Sequence, residues 1–429
     1  MKRYYTALLA ILFALNGFSQ RELSLTDALK IALENNYDLE MVRQDQQIAE
    51  INNNWGTAGR YPYINLTAES RNSINENQTE DYTQNQFVGT ASLSWTLFDG
   101  FSVKINKQKL AELEELSKQN TGIMIEGTIQ SVILAYYSVL LEKERFDVFR
   151  KVMDLSKDLY QRAEMQKDFG SAVTYDVLQA QNAYLADKSA YLVQQVSYKN
   201  ALRDLNFLMA VTDNPDYNLT DEFAAIPVEY SLADLNAQMV ANNKSLRNQY
   251  LNQNLLENAV ALAKSDFSPN LSFAGGLTGT RLGNDYEERG TDWSNSANFY
   301  GNFTLSFNLF SGGNRKRALQ IAKIEQEVGT VGLEQMKHEL NNQLGNIFEF
   351  YLVRKELLEV AAENLAAAEL NLQISKEKYE SGAINSFNFR DVQILYLNAA
   401  QQKLEAVYNF IDTHTTLLRM TGTIIQQYE

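Results

Sequence analysis

Few residues in this chain could support acid–base or metal chemistry. His338 and His414 are the only histidines; both lie in helical sequence, and neither has a second histidine at metal-ligand spacing. There is no cysteine, which excludes disulfides, thiolate metal sites and a lipidated N-terminal cysteine. No glycine-rich phosphate loop and no nucleophile–base constellation occurs, so no catalytic residue, cofactor or metal site is expected. Asp285, Glu287, Glu288 and Asp292 crowd one polar stretch and read as hydrated loop charge. A formal charge of -15 argues against a nucleic-acid partner.

The elements around these residues carry more information. Lys2 and Arg3, the apolar run 7–15 and the small residues Gly17 and Ser19 read as a secretory signal peptide over 1–19. Its removal takes two positive charges and moves the balance from -15 to -17. No apolar run long enough for a helical membrane span is expected after it.

The chain then repeats itself. Ser24 and Asp27 match Ser231 and Asp234, Asn35-Asn36 match Asn242-Asn243, and Pro62 matches Pro269, all at a shift of 207. From Phe98, which matches Phe310, the shift becomes 212: Gly170 pairs with Gly382, Tyr184 with Tyr396 and Leu208 with Met420. The expected partition is a first repeat over 20–211, a linker containing Pro215 and Pro227 over 212–230, a second repeat over 231–422 and a tail over 423–429.

Each repeat reads in the same order. A capped amphipathic helix of about 30 residues comes first, started by Ser24 or Ser231 and closed by proline. A β-hairpin follows, over 62–98 in one repeat and 269–310 in the other. Its strands, expected to be about 10 to 12 residues long, have one apolar face: Leu93, Trp95 and Leu97 in the first repeat, and Phe303, Leu305, Phe307 and Leu309 in the second. The polar stretches 72–86 and 281–298 read as hairpin tips.

Beyond the hairpins no proline interrupts. Residues 102–168 are long enough for one helix of ~100 Å at ~1.5 Å per residue. Gly170 and Gly382 mark helix ends, and a second long helix returns from each. Val177, Tyr184, Tyr191, Tyr198 and Leu205 recur every seven residues, as do Phe389, Tyr396, Phe410 and Leu417 with Lys403 interrupting, which predicts supercoiled seams. The tyrosines read as packing groups. Strands of this length and pattern suit an outer-membrane barrel, but four strands cannot close one, so the chain must oligomerise.

This duplicated order resembles the TolC family of outer-membrane efflux and secretion channels. The resemblance is carried by residues 24–29 with Asn35-Asn36, Pro62, the junctions 97–100 and 309–313, and the tips at Gly170 and Gly382. It implies a mixed α and β membrane protein, a homotrimer with four transmembrane strands per subunit in a twelve-stranded barrel. The barrel would be continuous with a long α-helical coiled-coil tunnel through the periplasm of a Gram-negative bacterium. It also implies a passive exit duct, for efflux or type I secretion, served by a periplasmic adaptor and an inner-membrane transporter and embedded in outer-membrane lipid. The family narrows its entrance with two acids three residues apart after the second tip; that register gives Asn388 and Asp391 here, with Asp176 at the matching place of the first repeat. Arg390 is the expected neighbour of Asp391. Gly170, Ser171, Ala172, Gly382, Ala383 and Ile384 are the expected adaptor contacts. The alternatives are an adhesive or structural coiled-coil surface protein and an exported glycan-processing enzyme, though no carboxylate pair nominates the latter.

Overall fold

The computed structural model describes residues 21–76, 80–213 and 215–428. The signal-peptide expectation lies outside these residues. The first repeat gives β1 (Arg21–Leu23), α1 (Leu25–Asn35), α2 (Tyr37–Asn52), β2 (Tyr63–Asn75), β3 (Tyr82–Phe98), α3 (Ser102–Asp168) and α4 (Thr174–Leu208). The linker holds β4 (Tyr217–Leu219). The second gives α5 (Leu232–Asn242), α6 (Lys244–Ser265), β5 (Asn270–Tyr286), β6 (Gly290–Ser306), α7 (Asn314–Glu380) and α8 (Ser386–Met420), followed by α9 (Ile424–Tyr428). Helices α3 and α7 each have 67 residues, and α4 and α8 each have 35. Both pairs keep the shift of 212 read from the sequence.

The first helix of each repeat is broken where continuity was expected. At Asn36 and Asn243 the backbone turns extended, with ψ of 128° and 115°. The Asn36 Oδ1 accepts from the amides of Asp38 and Leu39 at 3.0 and 3.2 Å, so it caps the second helix as it ends the first. Its Nδ2 donates to Leu208 O at 2.9 Å, and Asn243 makes the matching bond to Met420 O at 2.9 Å. Each asparagine thus ties its break to the end of the long returning helix. The Ser24 cap forms as expected, with Asp27 N at 3.1 Å, whereas Ser231 makes no side-chain cap bond.

Strands β2, β3, β5 and β6 form one antiparallel sheet in that order. Its register aligns Ile64, Leu93 and Gly275 with Gly301, and Leu66, Ala91 and Leu277 with Phe299. Trp95, Phe273 and Phe303 form a third apolar row, in which the two phenylalanine rings lie 4.9 Å apart. The opposite face carries Thr90, Thr278 and Asn298 in one row and Asn302 in another. Three strands run 17 residues and one 13, longer than the 10 to 12 expected. Most of the polar stretches read as tips belong to the ladder, because backbone hydrogen bonds form regardless of side-chain polarity. Strand β6 stops at Ser306, so Phe307 and Leu309 lie beyond it. Its last pair is with Asn270, and the next residue back along β5 is Pro269, which has no N–H to extend the ladder.

Two left-handed residues connect strand to helix in each repeat: Gly100-Phe101, at φ 68° and 72°, and Gly312-Gly313, at 61° and 78°. A Cβ on Gly100 would lie 2.5 Å from Ser265 O, so this turn requires glycine.

By contact density the chain divides into two units. One joins the described residues up to Val42 with Thr121–Lys244 and His338–Glu429; the other joins Arg43–Asn120 with Ser245–Lys337 and contains the sheet. The first unit's core packs Ala28, Leu29, Ile133, Val139, Leu205, Val407 and Leu418. Helix α3 does contain a window of mean hydropathy 1.4, contrary to the sequence expectation, but 50% of that window is buried within the protein itself. The linker is held to this core by β4, which pairs in parallel with β1, and by Asp221. Asp221 Oδ2 accepts from Tyr136 Oη at 2.6 Å and from Leu25 N at 2.8 Å. Tyr136 is fully buried, and burial pushes its hydroxyl pKa well up.

Two titratable groups are built into this unit. Glu126 is 4% exposed, with Lys244 Nζ at 3.4 Å from Oε1; burial still pushes its carboxyl above the usual range. His414 Nε2 and Tyr230 Oη share a hydrogen bond at 2.9 Å, with the rings of Tyr351 and Phe410 beside it. Burial lowers the His414 pKa. A histidine whose folded pKa is depressed contributes stability that is fully present above about 6.5, the unfolded value, and is lost as pH falls through it. The raised Glu126 carboxyl acts in the opposite sense, so the comparison isolates the histidine: between pH 7.5 and 5.5 the parent should lose more thermal midpoint than His414→Phe.

Candidate functional site

Both helical hairpins end in the same turn. Gly170 N donates to Lys167 O at 2.9 Å and Ser171 N to Gln166 O at 2.8 Å; Gly382 N donates to Tyr379 O at 3.0 Å and Ala383 N to Lys378 O at 2.8 Å. The glycines have φ of 74° and 78°, which lets the chain close the last helical turn and reverse. Gly170, Ser171, Gly382 and Ala383 are exposed, while Ala172 and Ile384 are half-buried. Phe169, which the sequence reading passed over, is 87% exposed and is the largest apolar group at the first tip. A large side chain beside a tip glycine was the available signal.

The acidic candidates sit just past the tips. Asp391 is exposed and has no hydrogen-bond or ion-pair partner among the described residues. Asn388 is exposed, and its amide donates to Asn385 Oδ1 at 2.9 Å in the cap of α8. Asp176 is half-buried and accepts from Val173 N at 3.4 Å in the first turn of α4. The expected neighbour pair of Arg390 with Asp391 does not form. Successive helical residues point about 100° apart, and Arg390 faces α4 instead.

There its guanidinium holds both oxygens of Asp187: Nη1 donates to Oδ2 at 2.5 Å and Nη2 to Oδ1 at 2.7 Å. Asp187 is 6% exposed. The Ser156 hydroxyl, from α3, also contacts Asp187 Oδ2 and lies 2.8 Å from Val152 O. Gln393, 1% exposed, turns its Oε1 toward Arg390 at 3.5 Å, while its Nε2 has no hydrogen-bond partner among the described residues. Three helices are thus joined by one buried polar cluster, with a bidentate ion pair at its centre. The cluster borders a cavity of about 230 Å³ that Ala172, Asp176, Tyr379 and Phe387 also line.

Sequence reasoning missed this cluster. One signal was present: Asp187 falls three residues after Tyr184, at a seam position where an apolar residue belongs, and its match in the other repeat is Ala399. The tyrosines themselves pack, as expected. Tyr184 stacks on Tyr160 at 6.1 Å, Tyr191 on Phe146 at 4.9 Å, and Tyr396 accepts from Lys151 Nζ at 3.0 Å.

Two long helical hairpins with matched glycine tips, grown from a four-stranded antiparallel sheet that is apolar on one face, define the class of outer-membrane channel subunits. The model of that family, described as outer membrane efflux protein, matches residues 28–211 and 235–423. The chain belongs to the outer membrane efflux protein family and is placed in the outer membrane. It is 23% identical over 412 residues to the cation efflux system protein CusC of Escherichia coli O157:H7, covering 90% of this chain and 84% of that one. It is 21% identical over 400 residues to the probable outer membrane lipoprotein SilC of Salmonella typhimurium, covering 88% and 81%. The CusC crystal structure superposes with a TM-score of 0.75 at 17% identity, covering 93% of this chain and 92% of that one.

Proposed function

We propose that three copies of this chain form the passive exit duct of a tripartite efflux assembly. The observation that carries this reading is the uncovered sheet. One face is apolar, with Leu66 at 79%, Phe303 at 71% and Leu305 at 70% exposure, and β2 and β6 each have a partner on one side only. In water such a sheet would aggregate along its edges; in lipid the apolar face is solvated and the edges must be closed. Four strands are too few for a barrel, and three copies supply twelve.

The helices carry complementary signs of assembly. On α7, Ile321, Ile324, Val328 and Val331 follow coiled-coil spacing and are 56–68% exposed. On α4, Leu178, Leu185 and Leu192 recur every seven residues at 52, 51 and 49% exposure. Both rows are about half or more exposed in the isolated subunit and suit a neighbouring copy.

In this reading a periplasmic adaptor engages the two tips through Gly170, Ser171, Ala172, Gly382, Ala383 and Ile384, with Phe169 as the apolar anchor. An inner-membrane transporter supplies the energy. Asp391, exposed and without a hydrogen-bond or ion-pair partner among the described residues, would form a ring of three carboxylates at the entrance and favour cations there, with Asn388 and Asp176 as polar neighbours. A cation cargo, as the name of CusC states for that protein, is compatible with such a ring.

Extraction of the mature chain from membranes should yield a trimer that migrates as such on a gel until heated; a soluble monomer would overturn the proposal. Asp391→Ala should raise single-channel conductance or weaken block by divalent cations in planar bilayers. If conductance and block stay the same, Asp391 is not part of the entrance.

A further inference from the structure

The rim where β3 passes into α3 carries a cavity of its own. Trp55, Arg60, Trp95, Leu97, Phe101 and Lys104 line a space of about 400 Å³ there. The turn after α2 is fixed against the strand: Trp95 Nε1 donates to Arg60 O at 2.9 Å, and the Arg60 guanidinium lies 4.8 Å over the Trp55 ring. Contact with a ring face leaves the guanidinium N–H groups uncommitted. Neither Arg60 nor Lys104 has a hydrogen-bond or ion-pair partner for its charged end among the described residues. Asp99, the carboxylate on the wall, accepts from Val103 N at 3.0 Å and so caps α3.

The backbone is strained at the same rim. Phe101 has φ 72°, in the left-handed region, and is 65% exposed. At the shift of 212 its match is Gly313, which meets the same demand without strain. The arginines of that second rim are spent on the chain itself: Arg315 donates to Asp266 O at 2.9 Å and Arg317 to Gly312 O at 3.2 Å. The first repeat instead places a phenylalanine where the turn favours glycine, beside two of the chain's three tryptophans and two uncommitted cations.

We infer that this cavity binds a glycerophospholipid of the periplasm-facing leaflet, with its phosphate on Arg60 and Lys104 and its chains along Trp95 and Leu97. The inference rests on the membrane reading of the sheet given above. Trp95 belongs to the apolar row with Phe273 and Phe303, and the long helices leave the sheet at this end, so the headgroups met here are those on the periplasmic side. Tryptophan rings settle at headgroup depth, and guanidinium and ammonium groups give a phosphate charge-assisted hydrogen bonds. A small soluble anion would use the cations and leave the aromatic wall bare.

Mass spectrometry of the intact membrane-extracted oligomer, stripped of lipid and incubated with dioleoyl phosphatidylethanolamine, reads retained lipid directly. The parent should keep one lipid per subunit. Arg60→Gln with Lys104→Gln should weaken retention about tenfold, the worth of the charge-assisted bonds removed. Lys316→Gln, at the match of Lys104 in the second repeat, should leave it unchanged. Phe101→Gly should also weaken retention while folding at least as well as the parent, since glycine meets a φ of 72° without strain. Unchanged retention in the Arg60/Lys104 double variant, or an equal loss in Lys316→Gln, overturns the site; should the double variant fail to assemble, Phe101→Gly decides in its place. Equal retention of glycerophosphoethanolamine, the same head without chains, overturns the lipid assignment in favour of a free phosphate ester. A parent that yields no extractable oligomer sinks the duct reading as well, whereas an oligomer that keeps no lipid overturns this inference alone.

Discussion

Phe303→Arg should destabilise the membrane-inserted assembly by about 1–2 kcal/mol per subunit, between the cost of an arginine at the interface and at mid-membrane on the lipid face of a barrel. Phe303 lies in the apolar row with Trp95 and Phe273, three residues before the end of β6 at Ser306, and is 71% exposed in the isolated chain. Asn302, one residue earlier, points to the other face, and Asn302→Arg should change stability by less than about 1 kcal/mol, as for any solvated substitution. Urea titration of the extracted oligomer, read by loss of heat-resistant migration, separates the two. Equal effects at both positions would mean that neither face meets lipid.

Arg390→Leu should be the most damaging single change in the helical part, at about 3–5 kcal/mol, because it leaves Asp187 buried without its cation. Asp187 is held by two nitrogens of Arg390 and a hydroxyl of Ser156, and it has little access to water in which to disperse its charge. Adding Asp187→Ala to Arg390→Leu should recover most of the loss, since an apolar pair of similar shape costs far less than a stranded charge. A double-mutant cycle on thermal midpoints gives the coupling; additive losses would show that the pair does not act as a unit.

What was legible in the sequence follows from periodicity. The long helices and the tip glycines were clear because heptad spacing and a left-handed turn each leave a fixed signature. The apolar rows of the sheet were clear because alternation was strict from Ile64 to Ala68 and from Leu93 to Leu97. The ends of elements were less clear. Alternation continues through Phe307 and Leu309, but the ladder has already stopped where Pro269 removes a donor. The breaks at Asn36 and Asn243 were visible only as matched residues, since their cause is a side chain reaching to Leu208 or Met420 some 170 residues away. The buried ion pair was hidden for the same reason: its partners are 203 residues apart, and nearest-neighbour reasoning assigned Arg390 to Asp391. Departures from the repeat, Asp187 against Ala399 and Arg390 against Leu178, were the one local trace.

Because the chain has no cysteine, single cysteines report without background. Placed one at a time from Asn298 to Leu305 in the membrane-embedded protein and exposed to a water-soluble maleimide, they test whether this sheet is a wall between lipid and an aqueous bore. Labelling should alternate along β6, with Asn298, Tyr300, Asn302 and Thr304 reactive and Phe299, Gly301, Phe303 and Leu305 protected. Uniform labelling along the strand would contradict the account.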